Sequence, residues 1–222
     1  MFQLQDEVVS RIVNAFANTL PLYQPIPSKR ATNLEAYDLF TRGRVMVIDT
    51  PERNKAGREL LNSAIEIESG FADAHAWVAV SHHFPWVHWT QPIELHRSLA
   101  RAAAERAVFL DPQNAVARGI LGSILVYEGK PIEADTELKI ALSINPNHAD
   151  VWMFIADSYV LEGRAGEGVA CARNAFQLNH PPSFYYWGLG HCQYAAGRYE
   201  EAIQAGRAPC FPGAWGHRHC RH

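Results

Sequence analysis

The chain has 222 residues, 48% of them hydrophobic and 19% charged, which is ordinary globular composition and enough to bury a sizeable core. Its formal charge of −3 shows no clustering of Lys and Arg, which excludes the basic footprint of a nucleic-acid-binding chain. No stretch reaches the roughly 18 to 20 uninterrupted apolar residues of a membrane helix, and the N-terminus carries Asp6 and Glu7 where a secretion signal would be apolar.

Residues 2–20 put Phe2, Val9, Ile12, Val13, Phe16 and Leu20 on one side of a helix and Asp6, Glu7, Arg11 and Asn14 on the other. The spacing predicts an amphipathic helix whose apolar face either packs on the helices downstream or once closed a domain missing here, with self-association through it as a third alternative. The segment PLYQPIPSKRAT, with prolines at 21, 25 and 27, then reads as an extended linker. Helical periodicity resumes at Asn33, breaks at Asp49-Thr50-Pro51, and restarts behind the Pro-Glu pair that favours a first helical turn. This is a helical hairpin. A second pair is predicted over FADAHAWVAVSHHF and PIELHRSLARAAAERAVFL, with PWVHWTQ as an irregular aromatic connection and Asp111-Pro112 as the stop.

From there the sequence repeats itself. Gly129, Gly163 and Gly197 lie 34 residues apart, as do Ala107, Ala141 and Ala175; Leu121, Ile155 and Leu189; and Pro112 and Pro146. A period of about 34 with two helices per unit marks an α-helical solenoid, in which small residues let the paired helices approach and a glycine closes the turn between them. Residues 115–148 form the most regular unit. The last one breaks off, because after RYEEAIQAG the sequence turns to RAPCFPGAWGHRHCRH, which has no helical period. The expectation is an array over residues 31–206 with an incomplete final repeat, and an irregular, possibly frameshifted tail over 207–222.

At these residues the array resembles tetratricopeptide (TPR) repeats. Leu121, Gly122, Gly129, Ala134, Leu138, Ala141 and Pro146 match in the third unit. Trp152, Ile155, Ala156, Tyr159, Gly163 and Ala175 match in the fourth, and Tyr186, Leu189, Gly190, Gly197, Tyr199 and Ala202 in the fifth. Gly168 departs from the usual Ala, and His180-Pro181 displaces the closing Pro by one. The N-terminal FQLQDEVVSRIVNAF, the linker and NLEAYDLFTRGR together resemble the accessory C-terminal region of bacterial class III adenylate cyclases and related winged-helix regulators. That resemblance implies a cytoplasmic regulatory module, or a truncated cyclase fragment without its catalytic domain.

Catalytic motifs are missing from the sequence. Gly129-Lys130 is followed by Pro131 rather than completing a phosphate loop, and there is neither a His-Glu-x-x-His helix nor a Gly-x-Ser-x-Gly elbow. His82, His83 and His88 lack acidic or Cys partners at ligand spacing, while His217, His219, Cys220 and His222 sit in the irregular tail. Cys171 and Cys192 fall at packed helical positions and imply no disulfide framework. No enzyme activity, cofactor or metal is therefore expected. The resemblance instead implies a concave groove lined by the first helix of each repeat, carrying His75, His82, Trp86, Ser123, Tyr127, Met153, Asp157, Trp187, His191 and Tyr194 toward a protein or peptide partner. Met153, Trp187 and Tyr194 read equally well as core. The Lys and Asn side chains with which chaperone-binding TPR domains hold a C-terminal carboxylate do not occur at the matching positions.

Overall fold

Several helix boundaries follow from local backbone requirements. In the computed structural model, which describes residues 33–88, 93–178 and 183–207, ten helices run in sequence. They are α1 (Leu34–Met46), α2 (Pro51–Ile67), α3 (Ala72–His88), α4 (Ile93–Leu110), α5 (Ala115–Tyr127), α6 (Pro131–Ile144), α7 (Ala149–Leu161), α8 (Ala165–Leu178), α9 (Ser183–Ala195) and α10 (Tyr199–Gly206). There is no strand among the described residues. Asn33, Thr50 and Asn114 are N-caps whose side-chain oxygens accept from first-turn amides, and Pro51 and Pro131 open α2 and α6. The amphipathic helix expected over 2–20, the linker and the tail from 208 onward lie outside the described residues.

The turns between the paired helices repeat in the last three units. Gly129, Gly163 and Gly197 have φ of +73°, +74° and +74°, the left-handed conformation that a side chain disfavours. At each one the glycine amide and the amide after it bond back into the preceding helix, as in Lys130 N to Leu125 O at 2.9 Å, Arg164 N to Tyr159 O at 2.8 Å and Arg198 N to Gln193 O at 2.8 Å. This double bond pattern satisfies carbonyls that the helix end would otherwise leave unpaired. Between units, Asp111 and Asn145 accept from the amides of Gln113 and Asn147, each at 3.0 Å, so that an Asx-Pro turn recurs at the 34-residue interval.

Close helix approach holds each hairpin together. A Cβ built on Gly43 would lie 2.7 Å from the Gly57 carbonyl oxygen, and one on Gly57 would lie 2.7 Å from the Gly43 carbonyl oxygen. The backbones of α1 and α2 therefore meet directly. Gly168 does the same for α7 and α8, since a Cβ there would lie 2.8 Å from the Ala156 carbonyl oxygen. That contact accounts for its departure from the usual Ala. Ala134, Ala141, Ala156, Ala172 and Ala175, all fully buried, line the same inter-helix seams.

The first helices of the last four units, α3, α5, α7 and α9, pack on one another in series, and each also packs on the second helix of the preceding unit. The second helices α4, α6, α8 and α10 lie behind them. The apolar interior forms two clusters, one built around Phe40, Leu61, Phe71, Trp77, Ile120 and Ile124, the other around Leu138, Val151, Ile155, Val169 and Tyr185. Arg118 joins α5 to α6 through Glu137 at 2.8 Å, and Arg101 joins α4 to Glu128 at 2.7 Å.

The second unit corrects one expectation. Helix α3 does not stop at Phe84 but continues to His88, with Pro85 inside it. A proline has no N–H to offer the carbonyl four residues back, here Ser81. Arg58 of α2 supplies the missing donor, its Nη1 donating to Ser81 O at 3.1 Å and to Asn54 Oδ1 at 3.1 Å, while Asn54 Nδ2 donates to Val47 O at 2.6 Å. The segment 84–88 is helical because a residue from the preceding hairpin satisfies it.

The two kinds of glycine separate in a stability measurement. Gly57→Ala should lower the free energy of unfolding in urea by about 1–3 kcal/mol, because two backbones must part. Gly166→Ala, at an exposed helical site with nothing within 4 Å of the added carbon, should be neutral or stabilising by up to about 1 kcal/mol.

Candidate functional site

Positions 34 residues apart on successive first helices face the same way. Ser123, Asp157 and His191 share one register, and Gly119, Met153 and Trp187 share the register one turn earlier. The first set forms a polar chain across four helices. The Ser123 hydroxyl lies 3.3 Å from His83 Nε2, which ties α5 to α3. The His83 ring meets Tyr127 edge-on at 5.3 Å between centroids, and the Tyr127 hydroxyl donates to Asp157 Oδ2 at 2.8 Å. On the other side of that carboxylate, Oδ1 is 3.3 Å from His191 Nδ1 of α9. The His191 ring then lies against Trp187 at 5.1 Å, with the two planes 35° apart.

Tyr127 is held as a neutral donor. Burial first, then the negative charge of Asp157 and the hydrogen bond to it, push the Tyr127 hydroxyl far above the ordinary range of a phenol. A phenol that keeps its proton and a carboxylate that accepts it form a fixed pair. Tyr127 therefore supplies no acid or base of physiological pKa.

Beside this chain is a notch of about 30 Å³, where a water needs roughly 10–15 Å³. Phe84, Met153, Phe154, Phe184, Trp187 and Gly188 form its apolar walls, and His83, Ser123 and Asp157 add its polar atoms. Phe84 and Phe184 of those walls meet edge to face, their centroids 5.8 Å apart. Gly188 is required by the fit of the wall, since a Cβ there would run into the Met153 Cε methyl. The notch takes a side-chain head group and is too small for a nucleotide.

The residues expected on the groove divide into three groups. Ser123, Tyr127, Met153, Asp157, Trp187 and His191 come together around the polar chain and the notch. Met153 and Ser123 are buried there, whereas Trp187 is 40% exposed. Tyr194, 66% exposed, lies on the turn side of α9, where its ring meets Tyr199 at 5.5 Å. His75 and His82 point elsewhere. His75 Nε2 reaches the Ser69 carbonyl at 3.2 Å in the turn before α3. His82 Nδ1 lies 3.1 Å from His96 Nδ1, between α3 and α4. The side chain of Trp86 lies outside the described residues.

His83, Phe84, Phe184 and Gly188 belong to the site without having been expected there. The register that identifies 123, 157 and 191 does not extend to α3, because the second unit is longer. Ser123 meets a residue 40 positions upstream rather than 34. The adjacent histidines therefore exchange places, His83 lining the notch beside Ser123 and His82 facing His96 of α4. Among the described residues no group of three or more His, Cys, Asp and Glu is gathered as metal ligands would be. Burial pushes the thiol pKa values of Cys171 and Cys192 up to about 11 and about 12, and Cys192 Sγ donates to Ala156 O at 3.6 Å, so both are packed, protonated groups.

Comparison with known proteins agrees with this geometry. Residues 155–214 match the family model of a tetratricopeptide repeat. TTC0263 of Thermus thermophilus, described as a thermophilic TPR protein, is similar with a TM-score of 0.59 at 18% identity, over 77% of this chain and 88% of that one. Human IFIT1, solved as a dimer with m7Gppp-AAAA, is similar with a TM-score of 0.59 at 16% identity, over 78% of this chain and 40% of that one. No curated protein matches the chain in sequence. Its fold is that of a TPR-type α-solenoid.

The histidines between helices give the fold a pH dependence of definite sign. Burial, the Arg58 charge and His96 lower the pKa of His82 to about 3, and burial likewise lowers His75, His96 and His148. A histidine whose folded pKa is depressed stabilises fully above its unfolded value of about 6.5, and loses that contribution as pH falls from there toward the folded value. Urea midpoints should therefore fall between pH 7 and pH 5. In His82→Gln the slope should be shallower by at most one proton, a limit of about 1.4 kcal/mol per pH unit.

Proposed function

We propose that this chain is a protein-interaction module that takes a peptide or a partner helix along the face built by α3, α5, α7 and α9. The observation that carries the reading is the recurrence of Ser123, Asp157 and His191 in one register, beside an aromatic side chain, Trp187, that is 40% exposed. A chain of half-buried polar groups costs stability unless each is satisfied, so its presence on one face is better explained by recognition than by folding. Exposed aromatic and polar groups in one groove suit an extended or helical peptide. Peptides selected against the whole protein from a displayed random library should lose at least roughly tenfold in affinity to Trp187→Ala or His191→Ala, a loss of about 1.4 kcal/mol or more. They should keep their affinity for Phe109→Ser and Ile132→Ser, which alter exposed side chains on second helices. Equal affinity for all four variants would refute the groove.

A finer reading places this module in the cytoplasm as the accessory, regulatory part of a bacterial signalling protein. Support comes from the resemblance of residues 2–16 and of the region around 33–44 to the accessory part of class III adenylate cyclases. Its neighbouring version makes the chain a cyclase fragment without the catalytic domain. In both versions the polypeptide is non-catalytic, and the amphipathic stretch 2–20 is proposed to mediate self-association. Cyclic AMP formation from ATP with magnesium or manganese should stay at background; turnover above background would overturn the binding-module reading.

A further inference from the structure

The notch combines features that a purely apolar pocket would not. Three aromatic rings, Phe84, Phe184 and Trp187, stand around a space that also contacts the Asp157 carboxylate. An aliphatic side chain seated there would take water from that carboxylate, which already accepts from Tyr127, and add no charge to offset the loss. A cation offsets that loss through the carboxylate charge, and aromatic rings are the side chains beside which a cation is best tolerated. The volume of about 30 Å³ selects the compact head of an ammonium over the broad plane of a guanidinium. Gly188 leaves room for the Met153 methyl in the wall, where a Cβ would run into it.

We propose that this notch, between α3, α7 and α9, receives a lysine ammonium of the bound peptide, an inference that deepens the groove reading and rests on it. Tyr127 is its positioning residue: by donating to Asp157 Oδ2 at 2.8 Å it fixes the carboxylate against the notch. The ring of Trp187 closes the outer side, where its exposure lets the peptide backbone pass.

The test uses the full chain at pH 8, with n-butylammonium as the lysine head group and 1-butanol as its uncharged counterpart. The Trp187 indole N–H resonance, assigned by its loss in Trp187→Phe, reports occupancy. Butylammonium should shift it saturably at millimolar concentration and 1-butanol should not. Asp157→Asn should weaken the ammonium by roughly tenfold, the size of one charge-assisted contact of about 1.4 kcal/mol. Equal shifts by both probes, no shift by either, or an unchanged affinity in a folded Asp157→Asn would overturn the proposal. If Asp157→Asn does not fold, the comparison of the two probes on the unaltered chain decides alone. Selected peptides that need Trp187 while butylammonium fails would defeat the ammonium site and leave the groove standing; butylammonium binding with peptides indifferent to Trp187 would do the reverse.

Discussion

Close approach of paired helices, with backbones in direct contact in the first and fourth hairpins, is the constraint on which the rest of this structure depends. Where Gly43 faces Gly57, and where Gly168 faces the Ala156 carbonyl, a single added carbon would hold the helices apart. The closeness fixes how far each hairpin leans on the next, and that in turn sets the register in which first helices stack. Ser123, Asp157 and His191 fall in line because the last three units repeat at the same 34-residue interval. The left-handed glycines at 129, 163 and 197 serve the same end, reversing the chain in the fewest residues while their amides satisfy the helix they terminate.

Most of this architecture was legible in the sequence because it rests on residues with narrow backbone roles. Glycine at the turn, alanine in the seam and proline after an Asx residue are each required by local geometry, so their recurrence announces the repeat. Side-chain direction was legible only where the period held. Asp157 and His191 follow from Ser123 by counting, whereas His82 and His83 differ by one residue, and the choice between them turns on how long α3 is. That length depends on Arg58, 23 residues away from the carbonyl it satisfies. No pattern local to FPWVH could reveal it, and on local grounds Pro85 reads as a helix end.

Met153 and Trp187 illustrate a second limit. They occupy the same register, yet Met153 is buried against Gly188 while Trp187 stands open. Burial at this register depends on what the next helix places beside it. After Met153 comes a helix with a glycine at 188 that admits the methyl; beyond α9 there is no further first helix among the described residues to cover Trp187. Identical periodicity thus yields core at one step and surface at the next, which is why composition alone left both readings open.

The bond from Arg58 to the Ser81 carbonyl also gives the array a direction. Helix α3 borrows from the hairpin before it the one donor that its own sequence withholds, and α2 asks for nothing of this kind in return. The dependence between the first two units is therefore asymmetric. The first hairpin acts as a splint for the second, whose long helix delivers His83 and Phe84 to the notch, so the lining of the notch depends on a hairpin that contributes no residue to it.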